Sequence, residues 1–371
     1  MKIYPSEHSG AFQARGNELR VGFVPLVDAA PLIIAKELGY FDDYGLNVRL
    51  ERELGWATVR DKIIFGELHA AHALAGLVLA AHLGIRCQAR PCATGLIMNS
   101  HGNAVTLSRE LYQLGIRDAK SFAVRVRMDR KIRRYTLGVV SGVSSHHFLL
   151  KLWLKSAGLD STRDIRIITL PPSLMVSNLE EGNIDGFCVG EPWNTVAVKQ
   201  AGGVVVATSN EISPGHPEKV LMASSDFIEQ REDDYVSLGA AVLEGCRFCH
   251  LKENHQHVAE ILSQRRYLNT DPSIILESLS GKLAMDKDRK AETASDLHLF
   301  YGGNVNVPNA QKVRWLWNQI EETIIYPFLS PKELKEVLHQ AFLDELFRKI
   351  EARMASNKDR KPSRQTALTT A

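Results

Sequence analysis

Three short polar segments follow apolar runs and lead into helical patterns. They are PLVDAAP at 25–31, GVVSGVSSHH at 138–147 and VGEPWN at 189–194. A helix begins with free N–H groups and a partial positive charge, and both favour a negatively charged ligand. In open α/β folds, ligands also lie beyond the carboxyl ends of the strands. The three segments together predict a binding site for a small anion.

Side chains within these segments are the first candidates for the site. Asp28 is expected to cap the helix that carries Pro31 in its first turn; the cap is either purely structural or leaves neighbouring N–H groups facing the site. Ser144 and Ser145 lie where the cap of the next helix is expected. One of the two following histidines can point at a ligand, and we take His146 as the candidate.

A metal site is not predicted. His69 and His72 are three residues apart, but no carboxylate or cysteine nearby completes a metal-binding set. His72 is kept as a candidate for the anion site. The C-x-x-C-H sequence at 246–250 matches the pattern for haem c attachment, yet it lies inside a helical pattern. We interpret its cysteines as a reduced, structural pair.

Composition and motifs limit the possible functions. The 371 residues include 45 basic and 43 acidic ones, and a net charge of +2 gives no global attraction to nucleic acids or membranes. The basic segment RVRMDRKIRR at 125–134 is interpreted as a solvated face, with a partner surface as the alternative. Common catalytic, phosphate-binding and dinucleotide-binding motifs are absent. We therefore expect a binding protein rather than an enzyme, with no cofactor and no direct contact with nucleic acid or membrane.

The compartment is predicted from the cysteines and the N-terminal segment. Five cysteines, an odd number, suit reduced thiols better than a disulfide framework. Residues 1–21 contain no apolar core of the kind that an export signal needs. We predict a cytoplasmic protein, and the alternative is an exported receptor whose signal has been removed.

Short apolar runs alternate with helical patterns along most of the chain. This rhythm predicts an α/β protein with largely parallel sheets covered by helices. A second βα series begins near residue 135, so we predict two lobes with a ligand cleft between them. Lobe I is assigned to 18–107 and 215–345, lobe II to 108–214, and 355–371 is predicted to be a disordered tail.

Several of these segments, taken as a set, resemble a known family. The segments are DAAPLIIAKELGYFDDYGLNV, GWATVRDKIIFGELHAAHALAG, SSHHFLLKLWLKSAGLD, LEEGNIDGFCVGEPWN and HPEKVLM. Over 19–343 the chain is similar to the nitrate and bicarbonate substrate-binding proteins of ABC importers. The resemblance implies a bilobed, periplasmic-binding-protein-like (type II) fold that holds its ligand in the cleft.

The resemblance also implies site residues. The aromatic pocket wall of the family falls on Trp56, and its central amide-bearing position falls near His101, with Gly102 and Asn103 beside it. The anion contact of the second lobe falls in the segment SGVSSHH.

One position departs from the family. The family's lysine has no counterpart, because Pro214 and Gly215 stand there, and Lys219 is a possible substitute. Bicarbonate, unlike nitrate, carries a proton and would need an acceptor such as Glu191, which otherwise caps or supports the segment that follows it.

Within the family, the chain most resembles cytoplasmic nitrate and nitrite sensors. The resemblance implies a protein that holds an RNA-binding antiterminator of the response-regulator kind when ligand-free, and releases it on binding nitrate or nitrite to control nitrate assimilation genes. The alternative is the substrate-binding receptor of an ABC importer for nitrate, bicarbonate or a sulfonate. A further alternative is an enzyme that uses pyridoxal phosphate to make a thiamin pyrimidine precursor.

Overall fold

The computed structural model describes residues 18–283, 292–293, 296–323 and 329–360. The strands in chain order are β1 Glu18–Phe23, β2 Asn47–Arg52, β3 Ala70–Leu74, β4 Cys92–Ala93, β5 Ile97–His101, β6 Asn103–Leu107, β7 Thr136–Val139, β8 Arg166–Thr169, β9 Gly186–Gly190, β10 Val204–Thr208, β11 Pro217–Ser224, β12 Lys282–Leu283, β13 Glu292–Thr293 and β14 His298–Leu299.

The helices lie between these strands and make up most of the described chain after residue 224. They are α1 Ala30–Glu37, α2 Tyr40–Asp43, α3 Trp56–Ile64, α4 Ala75–Leu83, α5 Arg109–Gln113, α6 Ala119–Asp129, α7 Ser145–Ser156, α8 Met175–Glu180, α9 Trp193–Gln200, α10 Ser209–Ile212, α11 Ser225–Gln230, α12 Glu232–His250, α13 His255–Ser263, α14 Pro272–Ser280, α15 Ala310–Thr323, α16 Pro331–Ala341 and α17 Asp344–Arg360. Within the described residues, no helix is both long and apolar enough to span a bilayer.

Two separate sheets form the two lobes. The strand order of the first is β14-β5-β11-β3-β1-β2, with β4 paired to β11, and the order of the second is β10-β6-β9-β7-β8. In each sheet the βα units supply parallel pairs, and the strands that enter from the other lobe pair antiparallel. Both sheets are therefore mixed rather than purely parallel.

The chain crosses between the lobes at Gly102. The strand β5 ends at His101 in the first sheet, and β6 begins at Asn103 in the second. Gly102 has φ 96°, a conformation that favours glycine, and a Cβ there would lie 2.6 Å from the His298 ring. The chain returns between β10 and β11. The first crossing thus comes earlier than the predicted boundary at 107, because 103–107 pair with the second sheet.

The predicted start of the disordered tail at 355 is wrong. The helix α17 continues to Arg360 and packs along α12 in lobe I, so that this lobe extends beyond the predicted end at 345. Burial of Ile350 and Met354, which are 0% and 3% exposed, explains why the helix persists. Residues 361–371 lie outside the described part of the chain.

The two lobes touch through an apolar core that they share. Side chains of α3 and α4 in lobe I belong to the same buried cluster as Val143 and Phe148 in lobe II. At Gly76 in α4 the approach is so close that a Cβ would lie 2.0 Å from the carbonyl oxygen of Val143. The described structure therefore has a closed cleft.

Candidate functional site

A group of fully buried charged side chains lies between the lobes. Lys219 Nζ is 2.7 Å from Asp28 Oδ2 and 2.5 Å from Glu218 Oε1, and all three side chains are 0% exposed. On its other side, Asp28 Oδ1 is 2.9 Å from Nε2 of the buried His72. Buried charges are costly unless they are paired, so this group must be held by its partners. We call this group the cleft cluster. It comprises Asp28, His72, Glu218 and Lys219, and also three neighbours of Glu218: Asn103, His146 and His216.

The carboxylate of Glu218 is the centre of the cleft cluster. Asn103 Nδ2 donates to Glu218 Oε2 over 2.7 Å. His146 Nε2 is 3.2 Å from Oε1, and His216 Nε2 is 3.4 Å from Oε2. Because Asn103 and His146 belong to lobe II and Glu218 to lobe I, the cluster links both lobes.

An irregular central strand places two consecutive charged residues in the same cleft. Neighbouring side chains of a regular strand point to opposite faces. In β11 the register against β5 shifts between Pro217 and Lys219, and again between Lys219 and Val220. Such irregularities re-aim side chains, which explains how the adjacent Glu218 and Lys219 can contact each other.

The charge states follow from the partners. Burial raises the pKa of Asp28, but Lys219 and His72 outweigh it and lower the pKa to about 2. Burial likewise opposes ionisation of Glu218, while Lys219 and His146 hold its pKa well below its ordinary value. Burial would lower the pKa of Lys219, but its two carboxylate partners raise it. For His72 and His146, burial is the largest effect and lowers the pKa. At neutral pH the cluster therefore holds two carboxylates, one ammonium and neutral imidazoles at these two positions.

Trp56 forms an aromatic wall beside the cluster. Its ring is 3% exposed and lies 5.4 Å from the His72 ring, and Lys219 Nζ is 5.4 Å from its centroid. Several buried polar atoms of the predicted site residues have no hydrogen-bond partner among the described residues. They are Trp56 Nε1, His72 Nδ1, Asn103 Oδ1, Ser145 Oγ and His146 Nδ1. Unsatisfied polar atoms are rare in folded interiors, so we interpret these five as candidate contacts for a polar ligand.

Asp28 does not cap a helix, contrary to the prediction. It lies in a short 3-10 turn, Val27–Ala29, and its side chain caps neither that turn nor α1. Its two oxygens face His72 and Lys219 instead, because a buried carboxylate gains more from a cation than from backbone N–H groups already satisfied by the turn. In lobe II, Ser144 is the N-cap of α7 and its Oγ accepts from the His147 N–H. The cap places Ser145 and His146 in the first turn of α7, and His146 faces the cluster.

His101 lies near the site but has no free nitrogen for a ligand. Its Nε2 accepts from the Gly215 N–H over 2.7 Å, which leaves Nδ1 to donate to the Asp296 carbonyl over 2.9 Å. Burial lowers its pKa to about 4. Its ring lies 5.2 Å from that of His216, so it supports the site from behind. Both ring nitrogens of His101 are thus used by the protein, and contact of His101 or Gly102 with the ligand stays a prediction.

Glu191 also lies outside the cleft cluster. Its Oε2 accepts from Thr195 Oγ1 over 2.7 Å and from Ser278 Oγ over 2.8 Å, and burial raises its pKa. Its backbone carbonyl accepts from the Val27 N–H. Glu191 thus joins α9 to α14 and to lobe I, which is the structural role that the sequence left open. Its Oε1 has no hydrogen-bond partner among the described residues, so that Glu191 as the proton acceptor for bicarbonate stays a prediction.

Sequence reasoning missed Glu218 and His216. Both stand in the segment HPEKV, from which only Lys219 was taken. An acidic residue beside a lysine normally indicates a solvent-exposed ion pair. The sequence signal for burial of Glu218 was the surrounding strand, PEKVLMAS, which is otherwise compatible with complete burial.

A pocket of about 340 Å³ adjoins the site behind His216. Trp315 forms part of its wall and its ring lies 5.5 Å from that of His216. Lys312 also lines it, but its ammonium already donates to the carbonyls of Asn304, Val305 and Val307. The pocket is thus separated from the cleft cluster by the His216 ring.

Two α/β lobes closed over a polar cluster define the class of this molecule as a two-lobe ligand-binding protein. Residues 13–263 match the NMT1-like family. Because this match covers more than half of the chain, the chain belongs to the NMT1-like family.

Known proteins agree with this assignment. The chain is 36% identical to the nitrate import ATP-binding protein NrtC of Synechocystis sp. PCC 6803, over 89% of this chain and 49% of that protein. It is 34% identical to the bicarbonate transport ATP-binding protein CmpC of Synechococcus elongatus, over 87% of this chain and 47% of that protein. The chain thus spans about half the length of these relatives.

A solved structure tests the fold. The crystal structure of the periplasmic nitrate-binding protein NrtA from Synechocystis PCC 6803 matches with a TM-score of 0.86 and 24% identity, over 94% of this chain and 93% of that one. At this identity the match shows the fold alone. The predicted bilobed α/β fold is confirmed, and the resemblance to importer substrate-binding proteins is confirmed at the level of the family.

Proposed function

We propose that the chain is a binding protein, not an enzyme, and that it closes over a small oxyanion, nitrate or nitrite. The observation that carries the proposal is the cleft cluster: a buried lysine lies beside the Trp56 ring, and residues of both lobes around it have buried polar atoms without a partner among the described residues. The similarity to a nitrate importer component supports it.

The chemistry of nitrate suits these groups. Nitrate is a flat monoanion that only accepts hydrogen bonds, so it needs an aromatic wall, donors and nearby positive charge. Trp56 offers the wall and an indole N–H, while Ser145 and His146 offer donors from the other lobe. A ligand that contacts both lobes stabilises the closed form.

Bicarbonate is the second candidate, and a specific observation favours it. Glu218 brings a carboxylate into the cluster, and a carboxylate can accept the proton of bicarbonate but has nothing to accept from nitrate. One relative is named as a bicarbonate transport component.

The two ligands are separated by titrating purified protein with nitrate, nitrite, bicarbonate and sulfate while following tryptophan fluorescence. We expect saturation with nitrate and nitrite at 1:1 and no response to the tetrahedral sulfate dianion. A response to bicarbonate alone would replace the first candidate by the second, and no response to any of them would refute an oxyanion site.

For the cellular role, similarity to importer components favours a substrate-binding receptor of an ABC importer. A cytoplasmic sensor that holds an RNA-binding antiterminator until nitrate or nitrite binds is the other role. A surface on α6 and the turn after it favours this role: Val124 and Met128 on α6 and Ile132 beyond its end are 54%, 69% and 81% exposed and lie among basic residues of the sequence. Exposed apolar residues grouped in this way are typical of protein contact surfaces.

A deletion strain distinguishes these roles. Loss of nitrate uptake with an unchanged antitermination reporter would support the receptor, and a reporter that is active without nitrate would support the sensor. Met128→Glu should reproduce the reporter phenotype only if the α6 surface binds the antiterminator. Fractionation of the native cells tests the cytoplasmic location.

A further inference from the structure

The cleft cluster has the wrong charge for an anion site as it stands. Asp28 and Glu218 carry two negative charges, and Lys219 supplies one positive charge. All three are 0% exposed, so water screens them little. A bound nitrate would add a further negative charge to a buried group that is already negative by one.

The following inference rests on the proposed oxyanion function. We propose that His146 takes up a proton when the anion binds. The added positive charge is what allows this cleft to accept a monoanion. Protonated imidazole has two N–H donors. One can donate from Nε2 to Glu218 Oε1, which is already 3.2 Å away, and the other can donate from Nδ1 to the anion. Nδ1 has no hydrogen-bond partner among the described residues, so no existing bond has to break for it to donate to the anion.

His146 is better placed for this than the other two histidines of the cluster. His72 already uses Nε2 on Asp28, and His216 uses Nδ1 on the Ser213 carbonyl. Both also lie in lobe I with the carboxylates they face. His146 stands in α7 of lobe II, so its protonation would strengthen a contact across the cleft as well as supply the charge.

The groups around His146 explain why the proton arrives with the anion rather than before it. Glu218 and Asp28 favour the charged imidazole, whereas Lys219 and the N-terminus of α7 disfavour it. Burial is the largest effect and lowers the His146 pKa. His147, the neighbour on α7, bonds to the Gly142 carbonyl and does not face the cluster. A negative charge placed beside Nδ1 tips this balance towards protonation.

The test is calorimetry with nitrate as the probe, since nitrate stays a monoanion across the whole pH range used. Titrations at pH 8 in two buffers of different ionisation enthalpy should show uptake approaching one proton per anion. The dissociation constant should rise by roughly tenfold per pH unit above neutrality. His146→Gln should abolish both effects, and the matched variant His147→Gln on the same helix should keep both.

The possible outcomes separate the proton-uptake inference from the proposed oxyanion function. Nitrate binding without proton uptake, or uptake that survives in His146→Gln, would overturn this inference and leave the proposed oxyanion function standing. Binding of bicarbonate alone would also overturn it, because bicarbonate brings its own proton. Absence of binding to every anion at every pH would refute the proposed function itself. A melting curve of His146→Gln without anion shows that the variant is folded.

Discussion

Replacing Gly76 by alanine should prevent the cleft from closing. In the closed structure the new Cβ would lie 2.0 Å from the carbonyl oxygen of Val143 in the opposite lobe. An ordinary contact needs at least about 3.4 Å, so the lobes must separate by more than about 1 Å at this point. The backbone of residue 76 fixes the position of the new Cβ, and the atom that it meets is a backbone carbonyl oxygen, so no side-chain rotation can relieve the contact. Overpacking of this kind costs about 1–3 kcal/mol, which should weaken anion binding roughly 5- to 150-fold.

A matched substitution separates closure from folding. Gly245 in α12 is equally tight, with a Cβ that would lie 2.1 Å from the carbonyl oxygen of Pro31, but both residues belong to lobe I. Gly245→Ala should therefore lower the melting temperature of the ligand-free protein and spare the affinity of whatever remains folded. Gly76→Ala should instead weaken anion binding and spare the melting temperature of the ligand-free protein, because alanine is otherwise well suited to a helix.

The assay combines isothermal titration with nitrate and thermal melting without it. Wild-type affinity in Gly76→Ala would refute the reasoning, since it would show that the binding form does not bring Gly76 and Val143 together. A loss of stability in Gly76→Ala equal to that in Gly245→Ala would also contradict it.

Three further predictions follow from the cleft cluster. Lys219→Met leaves two buried carboxylates without their cation, so urea unfolding should show that the free energy of unfolding falls by about 3–5 kcal/mol. Adding Glu218→Gln should recover part of this loss. An unchanged unfolding midpoint in Lys219→Met would contradict the ion pairing. Because the Asp28 pKa falls from 3.8 to about 2, its contribution of roughly 2 kcal/mol is complete above pH 4 and is lost as the pH falls towards 2. Acid unfolding of Asp28→Asn should lack this component, and an identical pH profile would argue against it. Trp56→Ala should abolish nitrate binding while the protein stays folded, and an unchanged affinity would remove Trp56 from the site.

The overall fold could be predicted because its signals are local and repeated. Alternation of apolar runs with helical patterns indicates βα units regardless of how the lobes meet. The cap at Ser144 is also a local property, since its hydroxyl needs only the N–H of His147. The end of α17 was misjudged because its last residues are held by Met354 packing on the body of lobe I, a contact between distant parts of the chain.

The details of the site depend on contacts that sequence does not record. A capping aspartate and a buried ion-pair partner look alike in sequence, so Asp28 was assigned the wrong partner. Glu218 was overlooked because its contact with Lys219 in the cleft depends on register shifts in β11, which follow from pairing with β5. His101 resembles a ligand contact until the Gly215 N–H and the Asp296 carbonyl are seen to use both its nitrogens. In each case the deciding neighbour lies far away along the chain.

The central claim is that the cleft cluster beside Trp56 holds the anion, and a crystal structure of the protein grown with nitrate tests it most directly. We predict nitrate on the face of the Trp56 ring, within hydrogen-bond distance of groups from both lobes, including His146 of lobe II. Nitrate in the neighbouring pocket beside Trp315 and Lys312, with no anion next to Trp56, would contradict the claim.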